Sequence, residues 1–262
     1  MIRPGICSVT FRDLPVDRVV ALTARAGLEC IEWSGNAHVL PGDADAARRA
    51  RELTERSGLA VASYGAYLRF DGSDEPGTDR GVIDVAAAMG APRVRVWAGG
   101  KDSADVGPDE RALIVRRIQD FADAAGEAGL EVGLEFHGRT LTDEVSSTER
   151  LLVEIGRENV RTYWQPHQGM TSDQAVQTLH RVLPQVSTIH VFSWWPMAKR
   201  LPLAERADLW REVFAVLAAE GSHRDALLEF VPGDDPEVLD REAATLRELI
   251  AAGAGALTGE AR

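Results

Sequence analysis

Short apolar runs alternate with longer amphipathic stretches along the whole chain. Residues 6–9, 28–33, 59–64, 93–97, 131–136, 160–164, 186–192 and 226–230 are rich in Val, Ile, Leu and aromatics, which predicts strands. Residues 14–26, 44–57, 77–89, 108–128, 147–155, 172–183, 203–219 and 235–252 carry helical spacing. In the first of these, Val16, Val19, Val20, Leu22 and Thr23 share a face, Asp13 is the expected cap, Pro15 suits the first turn and Gly27 the stop. Ser146 or Ser147 is the expected cap of the fifth helix. Eight strand–helix units of ~33 residues match the length of a βαβ repeat.

Strict alternation implies a parallel sheet. Either an open doubly wound sheet or a closed barrel could follow. Eight units within 262 residues favour a single (β/α)8 TIM barrel of the α/β class over residues 1–252. The first strand–helix turn, Ser8-Val9-Thr10-Phe11-Arg12-Asp13, has no dinucleotide-binding glycine fingerprint. Residues 253–262 are Gly/Ala-rich and are expected to form a flexible C-terminal tail.

Composition narrows the class of partner. A formal net charge of −12 supplies no basic field for nucleic acid or anionic lipid. The two cysteines, Cys7 and Cys30, are too few for a disulfide framework, lack metal spacing and read as small buried hydrophobes. No stretch reaches the ~20 apolar residues of a membrane span. The N-terminus starts almost directly on a strand without the apolar core of a signal peptide, so a cytoplasmic location is expected.

In a barrel of this kind the chemistry sits at the C-terminal ends of the strands. The second strand brings Glu32 and, in its loop, His38; the third Tyr64, Tyr67 and Arg69; the fourth Arg95, Trp97 and Lys101. The fifth brings Glu135 and His137, the sixth Trp164, Gln165 and His167, the seventh His190, Trp194 and Trp195, and the eighth Glu229. A carboxylate inside an apolar strand costs several kcal/mol unless paired, hydrogen-bonded or bound to a metal. Side chains two apart share a face, so Glu135 and His137 go together, as do Arg95 and Trp97, and His190, Phe192 and Trp194. Glu135, His137, Gln165, His190 and Glu229 can therefore converge. Two carboxylates with one or two imidazoles form an oxygen/nitrogen site suited to Mn²⁺, Mg²⁺, Co²⁺ or Zn²⁺. A lone strand-end Glu is more often simply paired with an Arg, and Arg95 could serve. Three polar strand ends in one barrel make that plain structural account much weaker.

Glu on the fifth strand, His on the seventh and Glu on the eighth resemble the xylose isomerase-like TIM barrels, in particular the sugar phosphate isomerase/epimerase group. The resemblance extends to Trp33–His38 (WSGNAH), Ser63-Tyr64-Gly65, Arg95-Val96-Trp97-Ala98-Gly99 and Tyr163-Trp164-Gln165-Pro166. It implies one divalent ion, manganese among the candidates, held by Glu135, Gln165, His190 and Glu229. Gln165 stands where the group usually has Asp, so the ligand charge falls from about −3 to −2 and metal affinity with it. His137, Arg95, Trp97, His38, Tyr64, His167 and Trp194 are the expected substrate contacts.

The implied chemistry is proton abstraction next to the carbonyl of a ketose or keto-polyol through a metal-stabilised enediolate, with Glu135 and Glu229 as the catalytic pair. Two rivals follow. One is a lyase or dehydratase that removes the same proton and expels a β-substituent. The other is a non-catalytic barrel that binds a small molecule, an idea that Gln165 feeds. A carbohydrate-like small molecule is the expected partner, and assembly into a homo-oligomer stays open.

Overall fold

Each apolar run becomes a parallel strand, and each amphipathic stretch becomes a helix packed outside it. The computed structural model describes residues 1–259. The strands are β1 (Ile2–Cys7), β2 (Cys30–Ser34), β3 (Ala60–Gly65), β4 (Arg93–Val96), β5 (Glu131–Glu135), β6 (Val160–Trp164) and β7 (Val186–Val191). A small antiparallel hairpin, β8 (Ser193–Trp194) with β9 (Arg200–Leu201), follows β7, and β10 (Arg224–Leu228) completes the set. The closed order β1-β10-β7-β6-β5-β4-β3-β2 makes a single TIM barrel. The helices are α1 (Val16–Arg25), α2 (Ala44–Arg56), α3 (Thr78–Met89), α4 (Pro108–Glu127), α5 (Val145–Ile155), α6 (Ser172–Val182), α7 (Ala207–Glu220) and α8 (Leu239–Gly259).

The strands alternate two chemistries. Ile31, Val94, Val96, Val132, Leu134, Ile189, Val191, Ala226 and Leu228 join the large apolar core shared with the helices. The alternate positions form a polar interior: Glu32, Arg95, Glu135, Thr188, His190 and Asp225 are all buried. Register shifts between Ile31 and Glu32 against β3, and between Thr162 and Tyr163 against β7, set the phase of neighbouring strands. At the lower end of the interior, Asp225 accepts from Arg3 Nε at 2.8 Å and from Arg93 Nη1 at 2.8 Å, so that buried charge is paired. Gly133 makes room for a neighbour: a Cβ there would come within 2.3 Å of Cε1 of Tyr163.

Several element ends differ from the sequence pattern. β1 starts at Ile2 rather than residue 6, because Arg224 N–H donates to the Met1 carbonyl and β10 pairs from Ile2 onward. Residues Ser8–Phe11 form a 3-10 turn instead of continuing the strand. Asp13 caps nothing, since α1 begins after Pro15 without a side-chain cap. α5 begins at Val145, and Ser147 Oγ instead donates to the Leu141 carbonyl at 2.7 Å. The last helix runs past residue 252 to Gly259, with Gly253 packed against Phe214 of α7. Residues 260–262, the end of the expected tail, lie outside the described residues.

Candidate active site

The polar interior opens at the C-terminal ends of the strands into a cavity of about 710 Å³. Its floor is built from residues at or just past the ends of β4, β5, β6, β7 and β10. Glu135 is the last residue of β5, and His190 is the fifth of six in β7. Gln165 and Glu229 each follow directly on a strand end.

His190 is fully buried and organises the floor. Its Nδ1 lies 3.0 Å from Gln165 Oε1, 3.4 Å from Glu135 Oε1 and 3.5 Å from Glu229 Oε2. Its Nε2 lies 3.7 Å from Glu32 Oε1 and has no hydrogen-bond partner. Gln165 is fixed by donation from Nε2 to the Phe136 carbonyl at 2.6 Å, which turns Oε1 toward the imidazole. Glu135 Oε2 accepts from Trp97 Nε1 at 2.6 Å and pairs with Arg95 Nη1 at 3.2 Å.

Arg95 is 2% exposed and bridges two carboxylates, with Nη2 also 3.3 Å from Glu32 Oε1. Burial alone would raise the Glu135 carboxyl, but Arg95 and then His190 pull it well below the usual carboxylate range. Glu32 experiences the same opposition and is brought down to about 2 by Arg95, His190 and Ser63. Burial disfavours charge on His190, yet Cys7 and the Glu229 and Glu135 carboxylates push its pKa well above the ordinary value. Burial pushes the Cys7 thiol up to about 12, so it keeps its proton at neutral pH and the carboxylates are what favour a proton on His190; a cation held at Nδ1 would take that proton's place.

The floor thus gathers three carboxyl groups, Glu32, Glu135 and Glu229, around one guanidinium. Such a group of buried acids calls for further positive charge. Ligands ~2.1 Å from a common ion and at right angles are about 3.0 Å apart; Gln165 Oε1 stands at that spacing from His190 Nδ1, and the Glu135 and Glu229 oxygens lie further off at 3.4 and 3.5 Å. One imidazole nitrogen, two carboxylates and an amide oxygen form a donor set for a divalent ion. Among the described residues, the His, Cys, Asp and Glu ligand atoms all within 4.8 Å of one another belong to Cys7, His190 and Glu229. Glu135 stands outside that tightest group, on the side where Arg95 and Trp97 hold it.

The expected substrate contacts divide. Arg95, Trp97, His137, His167 and Trp194 line the cavity. The His137 ring meets Trp97 at a tilt of 31° with centroids 4.6 Å apart, and His167 stacks on Phe136 at 5.3 Å. Burial pushes His167 down to about 4, so it is neutral at physiological pH. The structure does not bring His38 and Tyr64 to the cavity. His38 spends both ring nitrogens, on Ser8 Oγ and the Leu14 carbonyl, each at 3.1 Å, and does not line the cavity. Tyr64 is fully buried and donates to the Val39 carbonyl at 2.8 Å. Both brace the loop after β2.

Tyr67 takes the place expected of Tyr64. It lines the cavity, meets Trp97 edge-on at 5.3 Å and lies under the Arg95 guanidinium at 4.8 Å. Glu32 was visible in the strand inventory without a role; its signal was the one that marked Glu135, a carboxylate inside an apolar run. Cys7 gave no signal beyond that of a buried hydrophobe. Phe230 lines the cavity with φ +57°, a strained conformation for a bulky residue, braced by its N–H donating to Thr10 Oγ1 at 2.9 Å.

The chain belongs to the xylose isomerase-like TIM barrel family, whose profile matches residues 20–249. A 69-residue segment is 38% identical to a 3-dehydroshikimate dehydratase of Bacillus anthracis; it covers 26% of this chain and only a quarter (25%) of that enzyme's length. The solved structure of the probable 3-DHS dehydratase AsbF from Bacillus anthracis aligns with a TM-score of 0.76 and 20% identity over 94% of this chain and 99% of that one. The 3-keto-D-glucoside 4-epimerase YcjR from E. coli aligns with a TM-score of 0.73 and 16% identity over 95% of this chain and 100% of that one. At these structural identities the likeness is one of fold. Among the described residues, no helix is long and apolar enough to cross a membrane.

Proposed function

We propose that this barrel is a divalent-metal-dependent isomerase or epimerase of a keto-sugar or keto-polyol, acting by proton abstraction next to a carbonyl. The observation that carries this reading is the floor itself: His190 Nδ1 faces oxygens of Glu135, Gln165 and Glu229 within 3.5 Å at the base of a cavity. These four residues would hold the ion. When bound, it would polarise the substrate carbonyl and stabilise the negative charge that develops on the substrate oxygens.

The chain's own residues divide the remaining work. Glu135 is committed through Oε2 to Arg95 and Trp97, and its depressed pKa makes it a weak base. Its role becomes holding charge and orientation. Glu229 lines the cavity without such a clamp and would serve as the base. His137 and His167 face the same space and are placed to exchange protons with substrate hydroxyls. Trp97, Tyr67 and Trp194 offer flat apolar faces that suit the C–H face of a sugar ring and keep water away.

The asymmetry of the two glutamates favours a second reading, a lyase or dehydratase. Epimerisation needs proton carriers on opposite faces, whereas elimination needs one base and an acid for the leaving group. Glu229 would supply the base, and His137, which lines the same cavity, would supply the proton for the leaving group. Incubation with ketoses, 3-keto-glycosides and 3-dehydroshikimate in D₂O, with Mn²⁺, Mg²⁺, Co²⁺ or Zn²⁺, separates the outcomes. Deuterium uptake with an isomeric product supports isomerisation, and loss of water or an aglycone supports the lyase. No exchange with any ion sinks proton abstraction and favours a binding barrel.

A further inference from the structure

Glu32 ends up beside the candidate ion-holding residues without being one of them. It sits in β2, pairs in register with Cys7 of β1 and is 1% exposed. Its Oε2 accepts from Ser63 Oγ at 2.7 Å. Its Oε1 takes Arg95 Nε at 3.4 Å and Nη2 at 3.3 Å. The same Oε1 lies 3.7 Å from His190 Nε2, a fully buried nitrogen without a hydrogen-bond partner. The other ring nitrogen faces Gln165, Glu135 and Glu229. The imidazole therefore has a carboxylate behind it and three oxygens in front.

We propose that Glu32 is a positioning residue: its carboxylate, 3.7 Å behind Nε2 of His190, favours the proton on that nitrogen, so that Nδ1 is the nitrogen free to ligate on the side of Glu135, Gln165 and Glu229. This rests on the reading that His190 holds a divalent ion through Nδ1. A neutral imidazole carries one proton, and the nitrogen that keeps it decides which one can ligate. A carboxylate behind a ligating histidine fixes the tautomer and the ring orientation and makes the ligand more basic. Glu32 is held for this task from two sides, by Ser63 and Arg95. β3 is drawn so close at Gly65 that a Cβ there would come within 2.8 Å of Arg95 Nη2 and 2.9 Å of Glu32 Oε1. Arg95 ties Glu32 to Glu135, so the groups behind and in front of the ring share one rigid brace. Cys7 is the other group near His190, but a thiol accepts a hydrogen bond only weakly.

The test uses the full chain stripped of metal, with Zn²⁺ as the probe. Affinity is measured by competition against a chromophoric chelator. Long-range ¹H–¹⁵N spectra of the zinc-loaded protein show which nitrogen of His190 carries the proton. The proposal expects zinc on Nδ1 and the proton on Nε2. Glu32→Gln, which keeps the shape but removes the charge behind the ring, loses zinc affinity to a smaller extent than Glu32→Asp. Glu32→Asp, which keeps a charge for Arg95 but withdraws it from the ring, loses about 10- to 100-fold in zinc affinity. Ser63→Ala loosens the carboxylate and gives a smaller loss in the same direction, which covers the case of a Glu32→Asp protein that does not fold. Cys7→Ala retains the affinity. Zinc on Nε2, wild-type affinity in folded Glu32→Asp, no loss in Ser63→Ala, or a Cys7→Ala loss as large as that of Glu32→Asp each overturns the positioning role while leaving the metal reading intact. A wild type that binds no zinc overturns both.

Discussion

Oε1 of Gln165 lies 3.0 Å from Nδ1 of His190, while the same amide donates to the Phe136 carbonyl at 2.6 Å. An amide does both jobs because one end accepts and the other donates; a carboxylate accepts at both ends. The amide at this position is thus built into the local hydrogen bonding. Gln165→Glu sets a carboxylate oxygen against the Phe136 carbonyl and leaves that carbonyl without its donor. We expect the ion-free variant to lose about 1–3 kcal/mol of stability. Added Mn²⁺ or Zn²⁺ should stabilise it more than it stabilises wild type. Thermal melts with and without the ion check both halves.

The engaged state of Glu135 makes a separate prediction. Trp97→Phe keeps the aromatic wall but removes the 2.6 Å bond to Glu135 Oε2. Hydrogen bonds to charged groups contribute about 1.5–3 kcal/mol, so a measurable fall in melting temperature is expected. Glu229→Gln should leave the fold intact and slow deuterium exchange into substrate by about 10²- to 10⁴-fold, as for loss of a general base. Equal exchange rates in wild type and Glu229→Gln would remove Glu229 from the base role.

Packing inside the barrel is tested at Gly133. Any side chain there meets the Tyr163 ring, with Cε1 at 2.3 Å and Cδ1 at 2.5 Å from a Cβ. Overpacking of a close-packed interior costs about 1–3 kcal/mol and sometimes more. Gly133→Ala should lower the unfolding free energy measured by urea titration by that amount, and Gly133→Ala/Tyr163→Phe should not recover it, since the clash is with ring carbons. Full recovery would place the strain at the hydroxyl instead.

Acid stability has a contribution far from the site. Glu220 at the end of α7 pairs with the buried Arg224 that opens β10, and Arg224 and Ser222 bring its pKa down to about 2. A carboxyl depressed in the folded state stabilises above its unfolded pKa, ~4.3, and that contribution is lost as pH falls toward about 2. Glu220→Gln should therefore be less stable than wild type at pH 7, with the difference shrinking across that acid window. Urea titrations at several pH values check the sign; a gap that widens on acidification contradicts it.

The legible parts of this protein were those with a one-dimensional signature. β5 reads Glu-Val-Gly-Leu-Glu and β4 Arg-Val-Arg-Val, so alternation alone places Glu135 and Arg95 on one face and the valines on the other. His38 and Tyr64 misled because a strand-end position specifies proximity to the mouth but not which groups the side chain meets. Both found carbonyl partners in a neighbouring strand–helix unit, His38 at Leu14 and Tyr64 at Val39, which no spacing rule encodes. The start of β1 differs for a related reason: pairing with β10, on the far side of the sequence, starts the strand before its apolar run does.

By itself, the sequence determined eight strand–helix units, their closure into a barrel and the strand-end set around Glu135, His190 and Glu229, because periodicity and the cost of burying charge act locally. Only the tertiary structure decided that Arg95 and Trp97 clamp Glu135, that Glu32 stands behind His190, and that Cys7 joins their neighbourhood. Those outcomes depend on the register of strands far apart in the chain, and a shift of one residue would turn each of these side chains to the other face of the sheet.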